Sequence, residues 1–355
     1  MSRGMPSPAI VLANGGYRKS DGKVAHGLVR SGSRFKVLAV VDPEAVGEDA
    51  GEMLDGVRRD VPIVGSLDEA IASAGETPEF CVIGVATLGG RLSDELREEV
   101  RRAIEKGMSI VNGLHDWLAD DPELAGVAGE KGVQLIDLRK PRPRRELHFW
   151  SGEVYGVKAK RIAVLGMDCS IGKRTTTRML VEALEQDGLR TEMIYTGQTG
   201  WMQGAGYGLV FDSLPNDFVC GELEKAILNC DREVSPEVMV IEGQSALRNP
   251  SGPCGAEMLL SAAVAGVILQ HAPGREFVED FEELGLRIPP VEDEVELIRR
   301  YGVPTLAVTI NGHGMSGEEL IAEQQRLREV LGIPVVRPLE EGVGELVPVV
   351  RRLVK

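Results

Sequence analysis

Aromatic residues are scarce in this chain, 4% of its 355 residues, so any core must be filled by Val, Leu, Ile and Ala rather than by rings. Cysteine is scarce too, and unpatterned. Cys81, Cys169, Cys220, Cys230 and Cys254 are odd in number and show no C-x-x-C spacing, which argues against a disulfide scaffold or zinc site and suits a reduced compartment. Long apolar runs are missing: Leu259 to Leu269 is broken by Ser261 and Gly266 and is too short to span a bilayer. Met1 to Pro8 lacks a charged-then-apolar leader pattern. A cytoplasmic protein without a membrane partner is the expectation. Basic excess is lacking as well; the net charge of −15 argues against a general nucleic-acid binder. It leaves room for a small anion held by a local group of Lys, Arg and backbone N–H donors.

What is abundant is glycine, 43 residues, as expected of many tight strand-to-helix turns. The length predicts two domains. In the first half, strands are expected at Ala9–Ala13, Phe35–Val41, Phe80–Ala86, Ser109–Asn112 and Gln134–Asp137, with helical stretches such as Ser93–Lys106 between them. In the second half, strands are expected at Arg161–Leu165, Glu192–Thr196, Glu237–Glu242, Val267–His271, Thr305–Ile310 and Val335–Val336. Helices fit Lys173–Asp187, Val291–Tyr301, Gly317–Leu331 and Gly344–Leu353. Alternation of this kind predicts α/β architecture with parallel sheets in both halves. The division proposed is a Rossmann-like domain at 1–157, including a basic linker at 139–157, and a P-loop NTPase-like, doubly wound domain at 158–355. The linker holds Arg139-Lys-Pro-Arg-Pro-Arg-Arg145, read as a solvated connector or as a gate for an anionic ligand.

The segment Gly166-Met-Asp-Cys-Ser-Ile-Gly-Lys-Arg-Thr-Thr176 leaves a strand and enters a helix, the context a phosphate-binding loop requires. Gly166 and Gly172 let the backbone curl, and the residues between them, Asp168, Cys169, Ser170 and Ile171, supply inward N–H groups beside the helix N-terminus. Lys173 brings a mobile cation, with Arg174, Thr175 and Thr176 following; a hydroxyl such as that of Thr175 would ligate Mg²⁺ if ATP is used. Five residues separate the glycines, one more than in the common form, and Arg174 stands where Ser or Thr normally holds the metal. The longer G-x-D-x-x-x-G-K form resembles dethiobiotin synthetase and its relatives, ATP-dependent enzymes acting on small amines and acids.

Other polar residues end strands of the same half. Glu242 follows four apolar residues and reads as a metal ligand, a general base or a helix-capping acid. Gln198 and Thr199 follow the Glu192–Thr196 strand and would position substrate or water; Trp201 would cover a site or pack in a core. Asp217 is a helix cap or a partner for a substrate amine, and Glu222 lies on the same predicted helix. Gln244 follows Glu242 and is assigned to substrate. His271 is a catalytic candidate or a structural histidine, Arg275 a candidate fork for a substrate carboxylate, and Asn311 a candidate for adenine. In the first half, Asn14-Gly15-Gly16 and Asp42 suggest a Rossmann shape, but G-x-G-x-x-G is absent and no NAD site is assigned.

The loop, Tyr195–Met202, Asp217–Glu224 and Val240–Leu247, preceded by Asn112–Pro122, together resemble a bacterial and archaeal two-domain family with a Rossmann-like N-terminal part and a phosphate-loop C-terminal part. The similarity runs along nearly the whole chain. One branch of that family is D-glutamate N-acetyltransferase, which uses acetyl-CoA in D-amino-acid catabolism. The resemblance implies a loop holding the 3′-phospho-ADP portion of coenzyme A, or ATP in other members. It marks Gly166, Asp168, Gly172, Lys173, Arg174 and Thr175 for phosphate, and Gln198, Glu222 and Glu242 as the polar centre. Asn249-Pro250 stands where the family pattern has His-Pro. The expected activity is acetyl transfer from acetyl-CoA to an acidic amino acid, with Glu242 or Glu222 as base and His271 in reserve. An ATP- and Mg²⁺-dependent ligase or kinase on a similar acid is the alternative, and a nucleotide-controlled switch is a third reading. A homo-oligomer is expected.

Overall fold

The computed structural model describes residues 5–354. Two compact units are present. The first comprises the chain up to Arg142 together with Gln198–Ala205; the second comprises Pro143–Gly197 and the chain from Gly206 onward. The boundary read from the sequence, near Val157, falls later than this division, because 143–157 is tied to the second unit. His148 N–H donates to Glu222 Oε1 (2.9 Å), Ser151 N–H and Val154 N–H donate to Glu224, and Val154 is fully buried.

The first unit holds β1 (Ser7–Leu12), β2 (Phe35–Val41), β3 (Ile63–Val64), β4 (Phe80–Ile83), β5 (Ser109–Asn112) and β6 (Leu135–Asp137). They form one parallel sheet in the order β3-β2-β1-β4-β5-β6, the strand order of a dinucleotide-binding fold. Side chains alternate between two cores. Ile10, Leu12, Cys81 and Ile83 pack on one face, Ala9, Val11, Val82 and Val111 on the other, as the period-two geometry of buried strands demands. The strand expected at Phe80–Ala86 stops at Ile83. Gly84 turns its carbonyl to Ala25 N–H (2.9 Å), near the start of the helix Lys23–Arg30, and a Cβ there would lie 2.5 Å from Val11 Cγ1.

The short helix Gln198–Met202 belongs to this unit. Met202 joins its core, Arg34 stacks over the Trp201 ring at 4.0 Å, and Gln203 donates to the carbonyls of Gly27 and Ser31. Trp201 is therefore core packing.

The second unit holds β7 (Lys160–Gly166), β8 (Thr191–Tyr195), β9 (Tyr207–Gly208), β10 (Val238–Glu242), β11 (Gly266–His271), β12 (Thr305–Ile310) and β13 (Val335–Val336). The order is β13-β12-β11-β7-β10-β8-β9, parallel throughout. β7 lies at the centre, between β10 and β11, so the loop that follows it opens at the carboxyl edge of a rigid, doubly covered sheet. No helix among the described residues is long and apolar enough to cross a membrane.

Candidate functional site

The loop after β7 begins at Gly166 and ends where Gly172 (φ +109°) caps the helix Lys173–Gln186. A Cβ at Gly166 would stand 2.8 Å from Lys173 Cδ, so only glycine lets the lysine fold back across the strand end. Ser170 also adopts positive φ, +53°. The N–H groups of Ser170, Ile171, Gly172 and Lys173 donate to no described residue. Successive unpaired amides at a helix start form an anion-binding concavity, and a phosphate group fits their chemistry. Lys173 Nζ donates to the carbonyls of Asp168 (2.5 Å) and Ser245 (2.8 Å). Burial pulls its pKa below the usual lysine range.

Asp168 points away from that concavity. Its fully buried carboxylate accepts Arg275 Nη1 (3.0 Å), Asn249 Nδ2 (3.1 Å) and Glu279 N–H (2.9 Å). Arg275 also donates to the Cys169 carbonyl (2.8 Å), so the guanidinium expected on a substrate carboxylate braces the loop instead. Asn249 is part of this brace and also approaches Cys169 Sγ at 3.8 Å. On the far side, Asn311 donates to the Ile171 carbonyl (3.0 Å), and Thr176 Oγ1 donates to Gln270 Oε1 (2.5 Å), which Thr309 Oγ1 also meets at 2.7 Å. Thr175 is half-buried.

Glu242 ends β10, next to β7 in the sheet, and is 3% exposed. Thr196 N–H donates to its Oε2 (3.2 Å), Thr196 Oγ1 donates to its main-chain carbonyl (2.7 Å), and Gln244 Nε2 donates to Thr196 Oγ1 (2.9 Å). Gly243 is required there, because a Cβ would sit 2.1 Å from the Val164 carbonyl oxygen. Burial raises the carboxyl pKa; Arg174, the Thr196 and Gly197 amides and Lys173 oppose that shift without cancelling it. Glu242, Lys173 and Arg174 thus form one electrostatic group.

Each of the other candidates has its own surroundings. Glu222 anchors 143–157 through His148 N–H, and Gly221 beside it allows the crossing, where a Cβ would meet the His148 carbonyl at 1.9 Å. Asp217 is exposed in the first turn of the helix Asn216–Val234. Gln198 and Thr199 are buried within the first unit, Gln198 packing where Gly113 has no side chain. The His271 side chain lies on the sheet face opposite that of Gln270. Burial pulls its pKa to about 4, and the charges acting on it are Glu323, Glu292 and Arg326. Its Nδ1 is shielded and has no hydrogen-bond partner. Sequence reasoning missed Gln270, Ser245 and Glu279. For Gln270 a signal existed, a polar residue directly after the apolar run Val267–Leu269 and before His271. No group of three or more metal-ligating side chains occurs among the described residues.

Comparison with known proteins agrees with this architecture. A P-loop domain model of the DUF1611 family (domain of unknown function) matches residues 148–347, and its Rossmann-like N-terminal model matches 43–141. A D-glutamate N-acetyltransferase from a Pseudoalteromonas species is 30% identical over 75% of this chain and 79% of its own length. One from Tritonibacter scottomollicae is 30% identical over 79% and 83%. The crystal structure of a DUF1611 family protein from Anabaena variabilis superposes with a TM-score of 0.88 at 26% identity, covering 98% of this chain and 99% of that one. A glycine-cradled loop on the central strand of one parallel sheet, a Rossmann-ordered sheet before it, and matches along nearly the whole length place this chain in the DUF1611 family.

Proposed function

We propose that this protein is an N-acetyltransferase that moves an acetyl group from acetyl-CoA to the amine of an acidic amino acid such as D-glutamate. The observation that carries the reading is its 30% identity, over 75% and 79% of the chain, to two enzymes of that name. The unpaired amides of Ser170 to Lys173 support it, with Lys173 and Arg174 as the cations for the cofactor phosphates. Acetyl-CoA, when bound, supplies an acyl thioester. Glu242 is the proposed base: its raised pKa suits it to take the proton that an acceptor ammonium must lose. It is preferred to Glu222, which ties down the segment 143–157, and to His271, on the face opposite Gln270, because it shares one electrostatic group with Lys173 and Arg174. The reading includes a cytoplasmic location and a homo-oligomeric assembly.

Calorimetry with acetyl-CoA and with ATP–Mg²⁺, on the protein and on Lys173→Ala, tests this reading together with a thiol-release assay. Tight acetyl-CoA binding that the variant weakens about 30-fold, with thiol release dependent on D-glutamate, is the expected result. Mg²⁺-dependent ATP binding without thiol release would overturn it in favour of a ligase or kinase using Thr175 and Glu242 as metal ligands.

A further inference from the structure

In open parallel sheets, ligands bind outside the carboxyl ends of the strands where the order reverses. In the first unit that point lies between β1 and β4, and a cavity of about 140 Å³ opens there. Asn14, Lys19, Asp21, Thr87, Arg91 and Ser93 contribute its polar lining. Gly16 keeps it open. A Cβ there would stand 2.9 Å from Val85 Cγ1 and 3.7 Å from Asp21 Cβ, and both residues line the cavity.

Arg18, Arg30, Arg59, Arg97, Arg101 and Arg102 each pair with a carboxylate. The side chains of Asn14, Asp21 and Arg91 make no hydrogen bond or ion pair to any described residue. Lys19 meets Glu44 at 3.2 Å, with both side chains more than half exposed, a contact that a ligand carboxylate can replace at little cost. A dinucleotide does not suit the crevice. Asp42, the acid that would take a ribose, accepts the N–H groups of Tyr17 (2.8 Å) and Glu44 (2.9 Å).

We propose that the first unit binds an acidic amino acid in this cavity. Arg91 and Lys19 receive its two carboxylates, Asp21 its ammonium, and Asn14 a remaining carboxylate oxygen. Of the charged residues that line the cavity, two are cations and one is an anion, which complements a ligand with two negative charges and one positive. The assignment comes from the first unit alone and stands or falls separately from the acetyl-transfer reading.

The test is calorimetry on the full chain with D-glutamate, L-glutamate and glutarate, which has both carboxylates and no amine. At least one glutamate enantiomer is expected to bind, with glutarate at least tenfold weaker. Arg91→Ala should weaken glutamate at least tenfold. Asp21→Asn should erase the preference for glutamate over glutarate. Lys173→Ala should keep glutamate binding while weakening acetyl-CoA about 30-fold, which separates failure at the cavity from failure at the loop. The proposal is overturned if neither glutamate binds, if glutarate matches glutamate, or if Arg91→Ala and Asp21→Asn bind as the unaltered protein does.

Discussion

After β1 the chain turns through Gly15 and Gly16, and Asp42 ends the neighbouring strand; after β7 it turns from Gly166 to Gly172 around Asp168. Each turn sits at the carboxyl edge of a parallel sheet beside a buried acid. Their backbone donors have opposite fates. In the first turn, Asn14 N–H goes to the Val41 carbonyl, Gly16 N–H to the Ala13 carbonyl and Tyr17 N–H to Asp42. In the second, the acid is turned to the rear and held by Arg275, Asn249 and the Glu279 amide, and the amides from Ser170 to Lys173 stay unpaired. Glycine plus acid is thus an ambiguous signal. What the acid bonds to decides whether a turn closes on itself or presents donors to an anion.

Substitutions can break this contrast. The largest effect is expected at Glu242. On the acetyl-transfer reading, Glu242→Gln should lower kcat about 10²- to 10⁴-fold, as for loss of a general base. The rate of the unaltered protein should fall as pH drops through the raised pKa of Glu242, above the ordinary carboxyl range. Stability should show the opposite slope. The unfolded chain loses this proton at lower pH than the folded one, so stability falls as pH rises between the two pKa values. Urea unfolding of Glu242→Gln should be flatter across that window, and equal slopes for both proteins would refute the assignment.

Next is the brace. Asp168→Ala leaves Arg275 without its buried partner and should cost about 3 kcal/mol in urea unfolding, with weaker acetyl-CoA binding. If binding falls while stability holds, Asp168 contacts ligand directly and the rearward orientation is wrong. Lys173→Ala should weaken binding at the loop about 30-fold, the worth of one charged hydrogen-bonding group, with a circular-dichroism spectrum like that of the unaltered protein. The smallest effect is expected in the first unit. Asp42→Ala should cost about 2 kcal/mol of stability, since it strands two N–H groups, and leave acetyl-CoA affinity at the loop unchanged. A comparable loss of affinity would mean that the two turns are not independent.

Much of the fold was legible in the chain. Every strand of four residues or more was placed, because apolar runs bounded by Gly, Pro and Asp carry the signal. Of the two-residue strands, Val335–Val336 was placed but Ile63–Val64 and Tyr207–Gly208 were not, since two residues hold no periodicity to tell a strand from a turn. The loop was legible because its donors are backbone groups set by local glycine positions. The return of Gln198–Ala205 to the first unit was not. Trp201, Met202 and Gln203 look like a local loop sequence, and only their partners Phe35, Arg34 and Gly27, more than 160 residues earlier, give them their role.

Composition and spacing by themselves determined the α/β class, the two parallel sheets and the phosphate loop, since these follow from short-range periodicity and from where glycine permits a turn. Tertiary structure alone decided which polar residues are spent. Arg275, Asp168 and Glu222 look available in the sequence and are committed in the fold, whereas the amides of Ser170 to Lys173 are left for an anion. The reason is that a buried polar group must find a partner, and the partner comes from whatever distant segment the fold brings against it.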